Sequence, residues 1–330
     1  MEYAPFIKEL GRGAQGSRNL SVDDARQLYA AMLDGGVPDL ELGAIVIALR
    51  VKGESVEEMQ GFLNAVNERT EQIQVPAGRV RPVILPSYNG ARKEANLTPL
   101  LALLLQRFGV PVLVHGLLEG YGRVTSAQIF RELGVKPALS ARQAQSMMDE
   151  TGLAFVPVNA LCPGVHNLLS LRGRMGVRNS AHSLVKLLDP FHGQGVLVAA
   201  ATHPDFITLM RDIMLAQGQH GILLRGTEGE PFANPKRRPR LEHVHDGGFD
   251  VLFEAEHDSL RAIPNLPEAN DAAHTARWIQ RVLDHQIPLP KPLANHLACC
   301  LYASGYADDI NQAKAIVAVE ANGVSMNALG

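Results

Sequence analysis

Residues 28–62 read LYAAMLDGGVPDLELGAIVIALRVKGESVEEMQGF. Just upstream, Ser21 followed by Asp23 and Asp24 is a helix start. Ala25, Leu28, Tyr29 and Met32 then recur at helical spacing and make one apolar face. Leu40 to Val51 is a second apolar helix. Ser55 with Glu58 forms a capping box, in which hydroxyl and carboxylate each accept an orphan N–H of the first turn. It opens a third helix ending near Glu68. Residues 1–70 are therefore expected to be helical throughout, with Pro76 and Gly78 marking a linker after them.

Beyond the linker the pattern changes. Val83–Leu85, Val110–Val114, Ala154–Val158, Gly195–Ala200, Gly221–Leu224 and Val251–Phe253 are apolar runs of strand length, with helix-like segments between most of them. Such alternation predicts an α/β domain with a mainly parallel sheet. Residues 164–188 interrupt it with an apolar helical pair. Residues 226–248 are expected as a loop rich in Gly, Pro and charge, and the chain from Asp271 onward as three helices.

A chain of 330 residues can hold two domains, or one large α/β unit with a helical annex. No segment approaches the ~20 apolar residues of a membrane span. The most apolar, Leu97 to Phe108, reads as a buried helix. The first residues, MEYAPFIKEL, are neither a signal nor a transit peptide. Cys162, Cys299 and Cys300 are odd in number and lack CxxC spacing, which argues against a disulfide framework and against zinc and predicts a reducing cytoplasm. Net charge is −3, unevenly spread: −4 over 1–70, −6 over 246–330 and +7 over the residues between. That asymmetry hints at a surface facing a polyanion.

The quoted stretch, with its "ML-G" turn, "ALR-KGE" and "EE", resembles the helical domain of anthranilate phosphoribosyltransferase and its nucleoside-phosphorylase relatives. Asn96 and the VHG of Val114 to Gly116 are similar to that family's "NIST" and "KHG" motifs, and Gly176 with Arg178 to its "LG-RT" motif. The resemblance implies an all-α N-terminal domain on an α/β domain of the nucleoside phosphorylase/phosphoribosyltransferase-like fold, with a mainly parallel central sheet flanked by helices. The helical domain would span 1–72 plus returning helices about 164–190, and the α/β domain 76–163 and 191–330. It also implies a homodimer formed through the helical domain.

The match fails where the family's chemistry lies. The loop GTGGD, which wraps the pyrophosphate of phosphoribosyl pyrophosphate, falls on Pro86, Ser87, Tyr88, Asn89 and Gly90. Glycines there let backbone N–H groups approach phosphate, whereas Pro and Tyr remove a donor and fill space. The lysine of "KHG" falls on Val114, and the following asparagine and arginine on Leu117 and Leu118. The acidic pair that binds magnesium falls near Pro231 and Phe232, which cannot ligate a hard cation. Arg172 sits where the family contacts anthranilate; His115, His166 and Arg178 also match, and Arg123 replaces a lysine in YGRVTSAQ. These serve equally as fold residues or functional ones. A vestigial substrate site would comprise Ser87, Tyr88, Asn89, Gly90, Asn96, Thr98, His115, Gly116 and Arg172. No catalytic residue, metal ligand or cofactor is assigned, and magnesium enters only if the chain is an active pentosyltransferase.

The losses, with SYNGARK…NLTPLL and GTEGEPFANPKRRP, resemble the YbiB branch of the family, whose members look like non-catalytic nucleic-acid-binding proteins. Three basic groups fit that expectation: Arg92 and Lys93; Arg172, Arg174, Arg178 and Lys186 in an acid-free stretch; and Lys236, Arg237, Arg238 and Arg240 between prolines. With Arg123, and if they converge on one cleft, they would track a DNA or RNA backbone with little sequence preference, single strands above duplex. Each has a plainer reading: a solvated turn for 236–240, ion pairs to N-terminal acids for Arg174 and Arg178 on one helical face, and local pairing with Glu94 for Arg92 and Lys93. Tyr88, Tyr121 and Phe232 would fill the cavity the sugar once occupied or, alternatively, stack on unpaired bases.

Overall fold

Four helices open the chain: α1 (Ala4–Leu10), α2 (Val22–Leu33), α3 (Asp39–Lys52) and α4 (Val56–Asn67). There follow β1 (Val83–Ser87), α5 (Thr98–Arg107), β2 (Val112–Gly116), α6 (Ser126–Glu132), α7 (Ala141–Thr151) and β3 (Leu153–Pro157). Then come α8 (Val158–Leu161), α9 (Pro163–Met175), α10 (Ala181–Leu184), β4 (Val196–Ala201), α11 (Pro204–Ala216) and β5 (Gly221–Arg225). The chain ends with β6 (Leu241–His245), β7 (Gly248–Phe253), α12 (Ala272–Leu283), α13 (Lys291–Ala303) and α14 (Ile310–Ala321). This computed structural model describes residues 2–13, 16–257 and 265–321. It divides into two units, Met1–Gln72 with Val158–Pro190 and Ile73–Pro157 with Phe191–Gly330.

In the first unit α2 is capped by Ser21, whose hydroxyl accepts the Asp24 N–H at 3.1 Å. Both halves of the Ser55–Glu58 capping box are made. Glu58 is fully buried and does more than cap, because it also accepts the Leu20 N–H and a 2.6 Å contact from Lys52. Ala25, Leu28, Tyr29 and Met32 are buried, and Tyr29 stacks on Phe62 of α4 at 4.5 Å. A Cβ on Gly61 would overlap the Val22 carbonyl, so the close approach of α2 and α4 requires that glycine.

The second unit carries a seven-stranded sheet of order β3-β2-β1-β4-β5-β6-β7. The five strands β1 to β5 are mutually parallel, β6 pairs antiparallel with β5, and β7 pairs antiparallel with β6. The order reverses between β1 and β4, the place where open α/β sheets form a crevice at their strand C-termini. The register shows how this crevice opens. β1 pairs with β4 at Val83 and Ile84 alone, but with β2 along its whole length. Val83 N–H bonds toward Pro111 and the Pro82 carbonyl toward Val196, so alternate residues face the two neighbours. Pro86 therefore faces β4 beyond the point where that ladder has ended, and its missing N–H costs no strand bond.

The main departure from expectation is residues 226–248. β6 lies inside them, and β6–β7 is a hairpin closed by Asp246 and Gly247, both at positive φ. Asp-Gly is the two-residue turn signal for such a hairpin. The apolar pattern hides the strand because its buried residues include Glu242 and His243, polar side chains on its two faces.

Candidate functional site

Ser87 ends β1, and the loop that follows turns at Gly90, where φ is +67° and a Cβ would sit 2.8 Å from the Val124 carbonyl. Only glycine fits there. Ala91 and Val124 exchange backbone hydrogen bonds and hold the loop against the residues leading into α6. Gly116, beside Ser87 in the ladder, is as constrained: a Cβ there would overlap the Ser87 carbonyl.

Into this loop reaches the connection between β5 and β6. The Glu230 carboxylate is fully buried and lies at the centre of a shell of donors. Asn89 N–H and Gly90 N–H donate to it at 2.9 and 2.8 Å, Asn96 Nδ2 at 3.1 Å and Thr98 Oγ1 at 3.4 Å. Ser87 Oγ also donates to it and is within 2.6 Å of Ser126 Oγ. Burial pushes the Glu230 carboxyl upward from its ordinary pKa, opposed by the hydrogen bonds from Ser87, Gly90, Asn89 and Asn96. A strand end, a turn with outward N–H groups and a helix start form an anion cradle, and here the anion belongs to the protein.

Two residues earlier, Glu228 fills a second cradle. Its Oε1 accepts three successive backbone N–H groups, Arg92 at 3.0, Lys93 at 2.7 and Glu94 at 3.0 Å. Its Oε2 pairs with Arg123 at 3.0 Å, and its carbonyl accepts Asn89 Nδ2 at 2.7 Å. Desolvation works against the Glu228 carboxylate, but the three N–H groups and Arg123 prevail and hold its pKa below the ordinary value.

Residues 4–70 match the glycosyl transferase family, helical bundle domain. The chain is 46% identical over 318 residues to uncharacterized protein YbiB of Escherichia coli (strain K12), covering 96% of this chain and 99% of that protein. It belongs to the anthranilate phosphoribosyltransferase-like family, glycosyltransferase family 3. Anthranilate phosphoribosyltransferase of Persephonella marina is 28% identical over 74% of this chain and 73% of its own. The crystal structure of anthranilate phosphoribosyltransferase from Thermus thermophilus shares the fold with a TM-score of 0.79 at 22% identity, over 98% of this chain and 96% of that one. The Saccharomyces cerevisiae enzyme in complex with PRPP and Mg does so at 0.73 and 13%, over 99% and 94%.

Against the family's site, two of the sequence-based expectations change. The degenerate loop has lost glycines but kept its donors, since Asn89 and Gly90 still point their N–H groups inward. Tyr88 and Phe232 are buried as expected of cavity fillers, whereas Tyr121 is 50% exposed. Pro231 and Phe232 are buried where the acidic pair would lie. The two carboxylates nearby face N–H donors and a guanidinium, an environment that does not fit magnesium. No group of three His, Cys, Asp or Glu among the described residues could hold a metal ion.

The structure brings the first and third basic groups together in the second unit. Lys236 Nζ lies 2.8 Å from Glu94, and Asn270 Nδ2 donates to the Lys93 carbonyl at 2.8 Å. Arg92, Lys93, Lys236 and Arg237 are exposed around that junction. Arg92, Lys93 and Arg237 make no ion pair among the described residues. The others are committed: Arg123 to Glu228, Arg238 to Glu256 and over the Phe253 ring, and Arg240 to Glu242. Arg172, Arg174 and Arg178 belong to the first unit. Arg174 pairs with Asp39 at 3.2 Å, and Arg178 lies beyond the end of α9 at Gly176, so the two do not share a helical face. Burial, then the charges of Arg178 and Arg172, press the pKa of His182 down to about 3. His115 and Gly116 are buried in β2. The residues that sequence reasoning missed are Glu228, Glu230 and Ser126. For the two glutamates the signal was their spacing of two positions in GTEGEP, next to the expected metal site.

Proposed function

We propose that this chain is a nucleic-acid-binding protein on a degenerate anthranilate phosphoribosyltransferase fold, without phosphoribosyl transfer, working in the cytoplasm on single-stranded backbone. The observation that carries the reading is Glu230: a buried carboxylate already holds the donors that a substrate phosphate would need. Phosphoribosyl pyrophosphate would have to displace a covalently tethered anion, without magnesium to favour the exchange. Meanwhile Arg92, Lys93 and Arg237 stand exposed beside the Lys236–Glu94 ion pair that joins their two loops. Cations so placed bind phosphodiester with little sequence preference.

Self-association through the helical unit is part of the same reading. Leu40, Ile47 and Val51 of α3 are 82, 41 and 75% exposed, and with Ala44 they lie on one helical stripe. An uncovered apolar stripe of this kind suits a second copy of the chain.

The test is fluorescence anisotropy of a labelled single-stranded oligonucleotide at several salt concentrations. Affinity whose logarithm falls linearly with log salt is expected. Absence of binding at low salt, together with calorimetric heat from phosphoribosyl pyrophosphate and magnesium, would restore the transferase reading.

A further inference from the structure

The turn at Arg92, Lys93 and Glu94 aims three successive backbone N–H groups at one point, and Glu228 Oε1 occupies that point. Successive N–H groups converging in this way make an anion-binding concavity. Arg123 Nη1 adds a charged donor to the same carboxylate. The concavity is separate from the buried cradle of Glu230, and it borders solvent: the Glu228 side chain is 15% exposed, and the Arg92 and Lys93 side chains are exposed. Its occupant is held under backbone strain. Glu228 sits at φ +53° and Gly229 at +92°, a left-handed pair that a glutamate adopts at a cost. A tethered carboxylate with one oxygen on three N–H groups and the other on a guanidinium has the shape of a phosphate contact.

The geometry points to this nest as a phosphate seat on the nucleic-acid face, gated by Glu228, which an incoming phosphodiester displaces. The inference rests on the nucleic-acid reading for the source of the phosphate, but not for the seat itself. Once Glu228 swings out, a phosphate oxygen takes the three N–H groups, Arg123 turns to the same phosphate, and Arg92, Lys93 and Arg237 hold its neighbours along the strand. Glu228 is thus a built-in competitor that weakens adventitious anion binding and leaves a polyanion, with several contacts, able to win.

Two variants separate the seat from general electrostatics. Glu228→Ala removes one carboxylate, frees Arg123 and opens the nest. Glu94→Gln also removes one carboxylate and frees a cation, Lys236, but leaves Glu228 in the nest. Melting temperature is followed against inorganic phosphate, and oligonucleotide affinity by anisotropy. Phosphate is expected to raise the melting temperature of Glu228→Ala and not of the wild type or Glu94→Gln. Glu228→Ala is expected to bind the oligonucleotide about tenfold more tightly than the wild type, near the lower limit for one charge-assisted hydrogen bond, and Glu94→Gln to gain less. Phosphate stabilisation of Glu228→Ala with no oligonucleotide binding by any form removes the nucleic-acid reading and leaves the seat. A folded Glu228→Ala with no phosphate-dependent shift and no gain beyond Glu94→Gln overturns the seat. If Glu228→Ala does not fold, Glu228→Gln keeps an acceptor for the N–H groups without the charge, and wild-type behaviour from it in both readouts overturns the seat equally.

Discussion

Glu230 accepts the backbone N–H of Gly90 at 2.8 Å, across the point where the strand order of the sheet reverses. Glu230 follows the C-terminal end of β5 and Gly90 the C-terminal end of β1, so the contact bridges the crevice that the fold places there. Gly90 is held in place, because its carbonyl accepts Arg123 at 3.1 Å and the next residue, Ala91, exchanges backbone hydrogen bonds with Val124. The crevice is closed by a bond between two fixed walls. The same segment that would have ligated a metal supplies the closing anion.

Glu230→Ala is expected to cost about 3–5 kcal/mol, because it strands the buried donors of Ser87, Asn89, Gly90 and Asn96 around a void. Urea unfolding gives the number as a lower midpoint at unchanged slope. A loss below about 1 kcal/mol would mean that the donors find other partners and that the carboxylate is not what closes the site.

The basic residues are expected to divide by their partners. Arg237→Ala should weaken single-strand binding and reduce the salt slope by about 0.7, one phosphate contact. Arg240→Ala should leave both unchanged, because Arg240 is held 2.8 Å from Glu242, a buried carboxylate that Arg211 also grips. Equal effects from the two would show that charge alone, not free charge, sets affinity.

These two residues also show what could be read from sequence. Helices announced themselves through local chemistry: Ser21 and Ser55 are caps that depend on residues three positions away, and the Ala25–Met32 face follows the helical period. The alternation of strands and helices sufficed for the α/β unit. The 236–240 run was legible as positive charge, but its pairing was not, since Glu94, Glu242 and Glu256 reach it through the fold. The closed cradle was hidden for the same reason. Its loop and its plug are more than a hundred residues apart, and alignment to a phosphate-binding relative looks for glycines, not for a glutamate that would replace the ligand.

Ile47→Glu is expected to convert a dimer to a monomer, as light scattering would show by a halved mass. Ile47 is 41% exposed on the stripe with Leu40 and Val51, so the substitution adds charge to a surface rather than to the core. Helicity should be retained, since Ile45, Val46 and Leu49 carry the buried side of α3. A wild-type chain that is already monomeric would remove the stripe from the assembly.

Stability is expected to fall in mild acid, and His296 is a defined contributor. It is fully buried in α13, and its Nδ1 accepts the Ala233 N–H at 3.3 Å. That bond requires neutral imidazole, and protonation would set N–H against N–H. Burial lowers its pKa from 6.5 to about 3. A histidine depressed in the folded state stabilises above its unfolded value and loses that contribution as pH falls toward the folded one. The window is therefore from 6.5 down to about 3, with a slope of up to about 1.4 kcal/mol per pH unit. His243, lowered to about 4 by burial and by His220 and His245, acts with the same sign. Glu230 acts oppositely: its carboxyl is raised, so its contribution is present below the ordinary 4.5 and is lost as pH rises through the folded value. His296→Asn keeps an acceptor for the Ala233 N–H but cannot titrate. Urea midpoints for it should decline less steeply than the wild type between pH 6.5 and 4, and parallel declines would assign the acid sensitivity elsewhere.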